Sequence, residues 1–430
     1  MVDLEVAFSD SMAGIDPTTI RLVSRDPVKG PAGDSASLLE AWTVARLDST
    51  GFIVEETVDN LLRRGRARLT VSAADRAGNE TFEEISFELP PAARHKILDL
   101  AAEMAINTGQ VTVGPDGTKA FVTTEENGGS AISIVDLETL TLLKVVRSPI
   151  SALSETVVDA GRNRLYLVSI DEPLVAQFDL GSESFLTPIE ISSRGIGAAI
   201  SETRDELYIG LELVGPESGS FISVVDLGNG VEDRVIDLGV VSELNPDNPV
   251  NMVELLFGPG EDLLYATTSS FAQEGILVIE PDRGRLIDQI DLWPENPQRL
   301  GGALDIQLNE EDLLATFSNR VAAISLSSPY MIRFGFTAAD LPLTAKELAV
   351  APGGNEWALT TGDHGAGYIA VQLMESSFLR VVWEDRLPPT AVNPQGIAYR
   401  PDGNAFMVVG SRVEFLPATG PSELTIYLNR

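Results

Sequence analysis

Few side chains in this sequence are suited to catalytic or ligand-binding chemistry, and most of them are acids. The 430 residues include two histidines and no cysteine, which excludes thiol nucleophiles, disulfides and zinc–thiolate sites. His95 stands between basic neighbours in a segment typical of an exposed linker. His364 follows Asp363 in a glycine-rich segment, and a histidine beside a carboxylate is a candidate polar site. Two histidines are too few for a metal–water centre of the usual multi-histidine kind.

Acids that follow predicted strands provide the other candidates. We expect five side chains to lie at one mouth of a central channel, and they are Glu125, Asp171, Glu172, Asp363 and His364. Converging carboxylates can bind Ca²⁺, which takes six to eight oxygen ligands. Ca²⁺ is therefore the one cofactor that the sequence suggests, although acids in loops are also ordinary solvated residues.

A second candidate Ca²⁺ site lies near the N-terminus. Its oxygen ligands would come from Asp10, Asp16, Asp75 and Asn79. The alternative interpretation is structural, because Asp and Asn are common residues of β-turns. The sequence contains no EF-hand spacing that would favour the metal.

The elements that position the channel residues form a repeat between Thr108 and Arg430. Each copy has an apolar strand, a turn rich in Asp, Gly and Asn, and a second strand with an aromatic or equivalent apolar residue. That residue recurs at Phe121, Tyr166, Tyr208, Tyr265, Ala315, Trp357 and Phe406. A period of 40 to 50 residues with several short strands is typical of a β-propeller. We therefore predict an all-β chain with seven blades.

A third strand follows in each copy and often ends at an acid, as at Asp136, Asp179 and Asp226. We expect these acids to cap the turn into a fourth strand. In the last copy the predicted third strand is Val413–Leu416. Two strands compete to complete that blade, Lys96–Leu100 and Glu423–Leu428, and the sequence leaves the choice open.

The repeat resembles the YVTN-type β-propeller family. The resemblance rests on segments such as Gly114–Thr123 and Ile134–Leu137, and on Arg400–Gly403 in the last copy. It implies a propeller over residues 92–430 and leaves the activity open, because such repeats occur in enzymes, scaffolds and surface proteins alike.

Residues 1–91 lack the repeat and predict a separate small β-sandwich. Five short alternating strands are predicted, at Leu4–Phe8, Ile20–Val23, Trp42–Leu47, Arg68–Ala73 and Phe82–Leu89. The segments Phe8–Pro17 and Ala74–Glu80 resemble motifs of bacterial immunoglobulin-like modules. The pair Pro90–Pro91 predicts a stiff junction between the two domains.

The net charge of −34 limits the partners. Such a field repels nucleic acid and favours cations, and no apolar run is long enough to insert into a membrane. We expect an extracellular, cell-surface or periplasmic protein, itself part of a longer polypeptide or assembly, with a protein or glycan partner at its loops. Because the recurring residues are turn and core residues, a non-enzymatic binding or structural role is favoured. The alternative is a lactonase-like or lyase-like enzyme with a carboxylate-held divalent ion at the channel.

Overall fold

The computed structural model divides the chain into two compact units, Met1–Arg94 with Leu428–Arg430, and His95–Tyr427. Every described element is a β-strand except for one short 3-10 helix at Pro259–Glu261. No helix among the described residues is long and apolar enough to cross a membrane. The structure describes residues 2–9, 15–24, 43–46, 51–58, 65–75, 79–89, 93–100, 105–126, 129–212, 220–239, 252–268, 275–292, 305–309, 312–317, 320–336, 344–354, 356–363, 368–375, 379–387, 393–403, 405–411 and 422–428.

The first unit contains two antiparallel sheets of three strands each. Their strands are β1 Val2–Ser9, β2 Ile15–Ser24, β3 Thr43–Arg46, β4 Gly51–Val58, β5 Gly65–Asp75 and β6 Glu80–Leu89. The sheet orders are β1-β4-β3 and β2-β5-β6. Each of the five predicted strands overlaps one of these elements. The sequence reading missed β4, whose Glu55–Glu56–Thr57 run interrupts its alternation of apolar and polar residues.

The second unit begins with a single strand, β7 Ala93–Asp99, and three antiparallel blades follow it. The first blade consists of β8 Ala105–Val113, β9 Lys119–Glu126, β10 Gly129–Asp136 and β11 Thr141–Arg147. The second consists of β12 Leu153–Asp159, β13 Arg164–Ser169, β14 Leu174–Asp179, β15 Ser184–Phe185 and β16 Ile189–Glu190. The third consists of β17 Arg194–Ser201, β18 Glu206–Glu212, β19 Phe221–Asp226 and β20 Val231–Asp237.

Three further blades have the same consecutive order. The fourth consists of β21 Met252–Phe257, β22 Leu264–Thr268, β23 Gly275–Glu280 and β24 Arg285–Asp291. The fifth consists of β25 Asp305–Leu308, β26 Asp312–Phe317, β27 Arg320–Ser325 and β28 Ile332–Phe336. The sixth consists of β29 Thr344–Val350, β30 Glu356–Asp363, β31 Tyr368–Glu375 and β32 Arg380–Leu387.

The seventh repeat does not form a blade from its own consecutive strands, so the prediction of seven such blades is corrected to six. Its strands β33 Asn393–Tyr399, β34 Ala405–Ser411 and β35 Ser422–Leu428 form a sheet in the order β33-β34-β35-β7. The third strand is thus β35, whereas we predicted Val413–Leu416, which lies outside the described residues. Both competing strands belong to this sheet, β35 as the third and β7 as the fourth.

The repeated large residue of the second strand is a core residue in every copy. Tyr166, Tyr208 and Trp357 are fully buried, and so are their counterparts Phe121, Tyr265, Ala315 and Phe406 to within a few per cent. The core lies between neighbouring blades: Tyr208 of the third blade meets Phe257 of the fourth edge to face, with ring centroids 5.0 Å apart. The burial of all seven residues confirms the prediction from spacing. Each second strand needs an apolar side chain there to fill the gap to the next blade.

The acids at the ends of the third strands cap the following turns, as expected. Asp136 Oδ1 accepts hydrogen bonds from the backbone N–H groups of Glu138 and Thr139, at 2.9 and 2.7 Å. Asp179 and Asp226 accept similar bonds from residues two or three positions ahead. These bonds to the charged form lower the pKa of Asp136 and Asp179.

Removing buried side-chain atoms from β7 should test whether this strand completes the last sheet. Leu98 of β7 is 8% exposed, whereas Leu143, on the fourth strand of the first blade, is 48% exposed. We expect Leu98→Ala to cost about 2–4 kcal/mol of unfolding free energy in urea titrations. Leu143→Ala should change it by less than about 0.5 kcal/mol. Equal effects of the two substitutions would contradict the docking of β7.

Candidate functional site: an acidic cavity at the propeller axis

The innermost strands of the sheets enclose a cavity of about 400 Å³. Residues of β8, β12, β21, β25, β29 and β33 line it, so that six of the seven inner strands contribute. A cavity lined by inner strands from around the ring lies on the propeller axis. Its volume is within the usual range for small-molecule sites.

A β-bulge at the same place in most inner strands directs polar side chains into this cavity. The pairing register shifts between Leu153 and Thr156 in β12, between Met252 and Leu255 in β21, and between Ala345 and Leu348 in β29. The residues at these bulges are Glu155, Glu254 and Glu347, and all three line the cavity. Bulges re-aim side chains and are frequent beside functional sites. In β17 the bulge consists of Ile196 and Gly197, and Gly197 stands at the position that the glutamates have in the other three strands.

In three blades, a buried threonine on the second strand accepts a hydrogen bond from a backbone N–H at the bulge of the inner strand. The backbone N–H of Gln110 donates to Thr123 Oγ1 at 2.8 Å, and that of Glu254 donates to Thr267 Oγ1 at 3.0 Å. The N–H of Glu347 donates to Thr360 Oγ1 in the same way, at 3.2 Å. Each threonine is 13 residues after its partner. The hydroxyl satisfies an amide that the bulge removes from the strand ladder.

The cavity side chains also join neighbouring inner strands. Gln110 of β8 accepts a hydrogen bond from the Thr156 N–H at 3.1 Å and donates from Nε2 to Glu155 Oε2 at 2.7 Å. Asp305 of β25 accepts from the Leu348 N–H of β29 at 2.6 Å. In both cases a polar side chain satisfies the amide that follows the bulge of the next blade.

Four carboxyl groups meet in the cavity, those of Glu155, Glu254, Asp305 and Glu347. Glu155 and Asp305 are 8% and 3% exposed. Burial is the main cause that raises the pKa of Glu155 to about 8 and that of Asp305 to about 7. Burial also raises the pKa of Glu254, as do the nearby charges of Glu155, Asp305 and Glu347. The carboxyl groups of Glu155 and Glu254 are hydrogen bonded to each other, which requires a proton between them.

No basic side chain in the described part of the molecule neutralises three of these acids. No lysine or arginine among the described residues forms an ion pair with Glu155, Glu254 or Asp305. Arg400 lines the cavity but pairs with Asp402 at 3.1 Å. It stands about 15 Å along β33 from the bulge of that strand, given about 3.3 Å per residue.

One polar atom at the acidic end has no partner at all. Thr156 lines the cavity and is 9% exposed, and its Oγ1 is buried without a hydrogen bond. A buried hydroxyl without a partner costs free energy, and a hydrogen bond to a ligand would remove that cost. Within the part of the chain that the structure describes, no group of three or more His, Asp or Glu side chains is arranged to hold a metal ion.

Two of the predicted channel-mouth residues, Asp171 and Glu172, are not among the residues that line this cavity. For Glu125, Asp363 and His364 the channel-mouth position stays a prediction. Asp171 is exposed, and Glu172 accepts hydrogen bonds from the Ser151 N–H and Oγ at 2.8 and 2.7 Å. These bonds lower the pKa of Glu172 and give it a structural role in joining two loops. Glu125 pairs with Ser130 in the first blade, and Asp363 is the last residue of β30. His364 lies outside the described residues.

The N-terminal candidates are only partly described. Asp16 and Asp75 lie on paired strands, with Asp16 opposite Ala74 and Ile15 opposite Asp75. Asn79 is exposed, and Asp10 lies outside the described residues. The prediction of a Ca²⁺ site there remains a prediction.

The sequence contains a signal for the cavity residues that the repeat analysis missed. Gln110, Glu155 and Glu254 each stand eleven residues before the large residue of the second strand, at Phe121, Tyr166 and Tyr265. A polar residue at a fixed place in an otherwise apolar inner strand indicates a side chain directed at the axis. We had interpreted these strands as uniformly apolar.

Comparisons with known proteins identify the fold alone. No protein-family model matches the sequence, and no curated protein sequence matches it either. Among solved structures, a Kuenenia stuttgartiensis hydrazine synthase chain matches with a TM-score of 0.57 and 15% identity, over 74% of this chain and 95% of that chain. The β-propeller domain of Myceliophteria thermophila Cps50 (Swd1) matches with a TM-score of 0.59 and 14% identity, over 79% and 100% of the two chains. At such identities the likeness supports a β-propeller and carries no function.

Removing one bulge hydroxyl should weaken the fold around the site. Thr267→Val replaces the hydroxyl by a methyl group of similar size and leaves the Glu254 N–H unpaired. We expect a loss of about 1–3 kcal/mol in unfolding free energy. Thr267→Ser keeps the hydroxyl and should lose clearly less. Equal losses in the two variants would show that the threonine acts through its methyl group.

The buried acids should make the folded protein less stable as the pH rises, which is the opposite of the usual effect of ion-paired carboxyl groups. The folded protein holds protons on Glu155 and Glu254 at pH values where the unfolded chain, with a pKa near 4.5, has lost them. Stability should therefore fall as the pH rises from about 5 to about 8. Glu254→Gln should flatten this fall and be more stable than the wild type at pH 8.5, by on the order of 2 kcal/mol.

Urea titrations at pH 5.5, 7.0 and 8.5 measure this effect. The matched control is Asp171→Asn, which removes an exposed acid and should retain the wild-type slope. A wild-type stability that rises steadily between pH 5.5 and 8.5 would contradict the assignment.

Proposed function

We propose that the protein is a non-enzymatic binding protein whose propeller holds a positively charged ligand in the axial cavity. The observation that carries this proposal is the gathering of Glu155, Glu254 and Asp305, the first and last of them buried, in one cavity where no described basic residue pairs with them. Carboxyl groups gathered in this way are unfavourable unless they are protonated or paired with a cation. A cationic ligand supplies the missing partner.

The charge of the whole chain supports the same conclusion. A net charge of −34 attracts cations from solution and raises their concentration at the surface. The unpaired Thr156 hydroxyl adds an uncharged hydrogen-bonding group beside the acids. A cavity with several acids and a free hydroxyl is suited to an ammonium or guanidinium group, which offers several donors.

The wider setting follows from the sequence and is part of the proposal. The sheet β33-β34-β35-β7 would act as the seventh blade, since β33 contacts both β29 of the sixth blade and β8 of the first. We assign the propeller to the YVTN type and the two N-terminal sheets to an immunoglobulin-like module. In this view the protein works outside the cytoplasm, and a protein or glycan partner presents the cationic group.

An enzyme is the second candidate, and the raised pKa of Glu155 favours it. A carboxyl group that remains protonated near neutral pH inside a cavity is a typical general acid. The metal-dependent lactonase-like or lyase-like version needs carboxylates arranged around a divalent ion. The described residues do not provide that arrangement, so we rank this role below simple binding.

Calorimetric titration with a small organic cation tests the binding role. Agmatine should bind the wild-type protein, and Glu254→Gln should weaken this binding at least about tenfold, since one charge-assisted contact is worth 1.5–3 kcal/mol. Asp171→Asn should bind like the wild type. A parallel titration with CaCl₂ and MgCl₂ addresses the enzyme: a metal-dependent rise in Tm that Glu254→Gln abolishes would favour the metal site. No binding of agmatine to the wild type would overturn the proposal.

A further inference from the structure

The axial cavity has two chemically different ends. Glu155 and Glu254 stand at the bulges of β12 and β21, and Asp305 lines the same cavity from β25, whose pairing has no register shift. Beyond the bulges, the cavity wall continues along β8, β29 and β33 and becomes mainly apolar. The apolar wall consists of Val111, Val113, Leu348, Val350, Ile397 and Ala398.

Some of this apolar wall is not covered by protein. Val113, Val350 and Ile397 are only partly buried, whereas their strand neighbours Val111 and Leu348 are 5% and 2% exposed. The step from the bulge to Val113 or Val350 is three residues, about 10 Å along a strand. A guanidinium head followed by an extended aliphatic chain of about six carbons spans a similar length. Covering these side chains would remove apolar surface from water.

We propose that the ligand is an alkylammonium or alkylguanidinium cation, with its charged head among Glu155, Glu254 and Asp305 and its aliphatic body along β8, β29 and β33. This inference rests on the proposed binding function and specifies the class of ligand. The head donates hydrogen bonds to the carboxylates and to Thr156 Oγ1, whose lack of a partner is independent of the acids. The body covers Val113, Val350 and Ile397.

Binding of such a head should release protons. The charged and titratable groups along the cavity are Glu155 of β12, Glu254 of β21, Asp305 of β25, Glu347 of β29, and Tyr399 and Arg400 at the end of β33. The acids raise one another's pKa in the empty cavity, and a cationic head reverses this effect. At pH 7 the proton between Glu155 and Glu254 is therefore expected to leave for solvent as the head enters.

The same ligand chemistry has two sources, a free amine or guanidine and a lysine or arginine side chain of a partner. In both, a charged head follows an aliphatic stem, so the cavity chemistry is shared. A free ligand needs only the cavity, whereas a side chain brings a backbone that must stop at the cavity mouth. Comparing butylguanidinium with an acetylated and amidated tripeptide, Gly-Arg-Gly, separates the two sources.

The test is a chain-length series in calorimetry with the full chain. Methyl-, butyl- and hexylguanidinium should bind with affinities that rise about fourfold for each methylene, the value expected for burying a CH₂ group. Hexylurea, a neutral analogue of the same shape, should bind at least about a hundredfold more weakly than hexylguanidinium. Repeating the titration at pH 7 in phosphate and in Tris, which differ in ionisation enthalpy, should show release of up to one proton.

Two variants locate the aliphatic body. Val113→Thr and Val350→Thr keep the side-chain size and should reduce the gain per methylene while methylguanidinium binds as before. Val145→Thr, on the outer strand β11, is the matched control and should leave the whole series unchanged. Melting curves establish that each variant is folded at the titration temperature.

The outcomes separate this inference from the proposed function. If methylguanidinium binds and longer chains bind no better, the cation site stands and the aliphatic assignment is overturned. If binding releases no proton, the head does not enter between Glu155 and Glu254, and the assignment is likewise overturned. If no guanidinium compound binds and agmatine also fails, the proposed function itself fails. Equal binding of hexylurea and hexylguanidinium would also overturn the role of charge.

Discussion

The inner strands of a propeller converge on its axis, and the backbone amides that their bulges release must find partners there. This constraint governs the centre of the molecule. A strand flanked closely by neighbouring blades cannot send an unpaired N–H into bulk water, and an unpaired amide costs free energy when it is buried. Two groups of side chains supply these hydrogen-bond acceptors. Threonines of the second strands satisfy the amides of Gln110, Glu254 and Glu347, and polar cavity side chains satisfy the amides that follow the bulges of neighbouring strands.

The site follows from that architecture. The bulges of β8, β12, β21 and β29 each bring a polar side chain to the axial cavity, whereas β25 brings Asp305 there without a bulge. Most propeller positions of this kind could hold a neutral amide, as Gln110 does. This chain instead places carboxyl groups in blades two, four, five and six, and burial raises the pKa of Glu155, Glu254 and Asp305. The acids therefore exceed what the amides require, and the proposed cation site rests on this excess.

The sequence predicted the fold better than the site, and the reason lies in what each depends on. Tyr166, Tyr208 and Trp357 recur because every interblade gap needs a large side chain, so periodicity alone identified them. The last sheet was harder, because its fourth strand, β7, precedes the repeat, and its third strand, β35, is displaced from the repeat spacing. Acids in loops were visible but misleading: Glu172 satisfies Ser151 and does not reach the axis. The axial acids depend on the bulge, and a bulge leaves no composition signal in a single strand.

The distribution of side chains around the axis explains why the cavity has two chemically different ends. The third blade has Gly197 at the bulge position where other blades have acids, and it therefore adds no side chain there. The first blade adds the neutral Gln110, so the negative charge is concentrated on blades two, four, five and six. The apolar wall comes instead from the first, sixth and last sheets. The inner strands thus produce a cavity with an acidic end and an apolar end, and that asymmetry arises from single residues at one repeated position. The repeat makes the scaffold, and departures from it at the bulge determine which ligand the scaffold can hold.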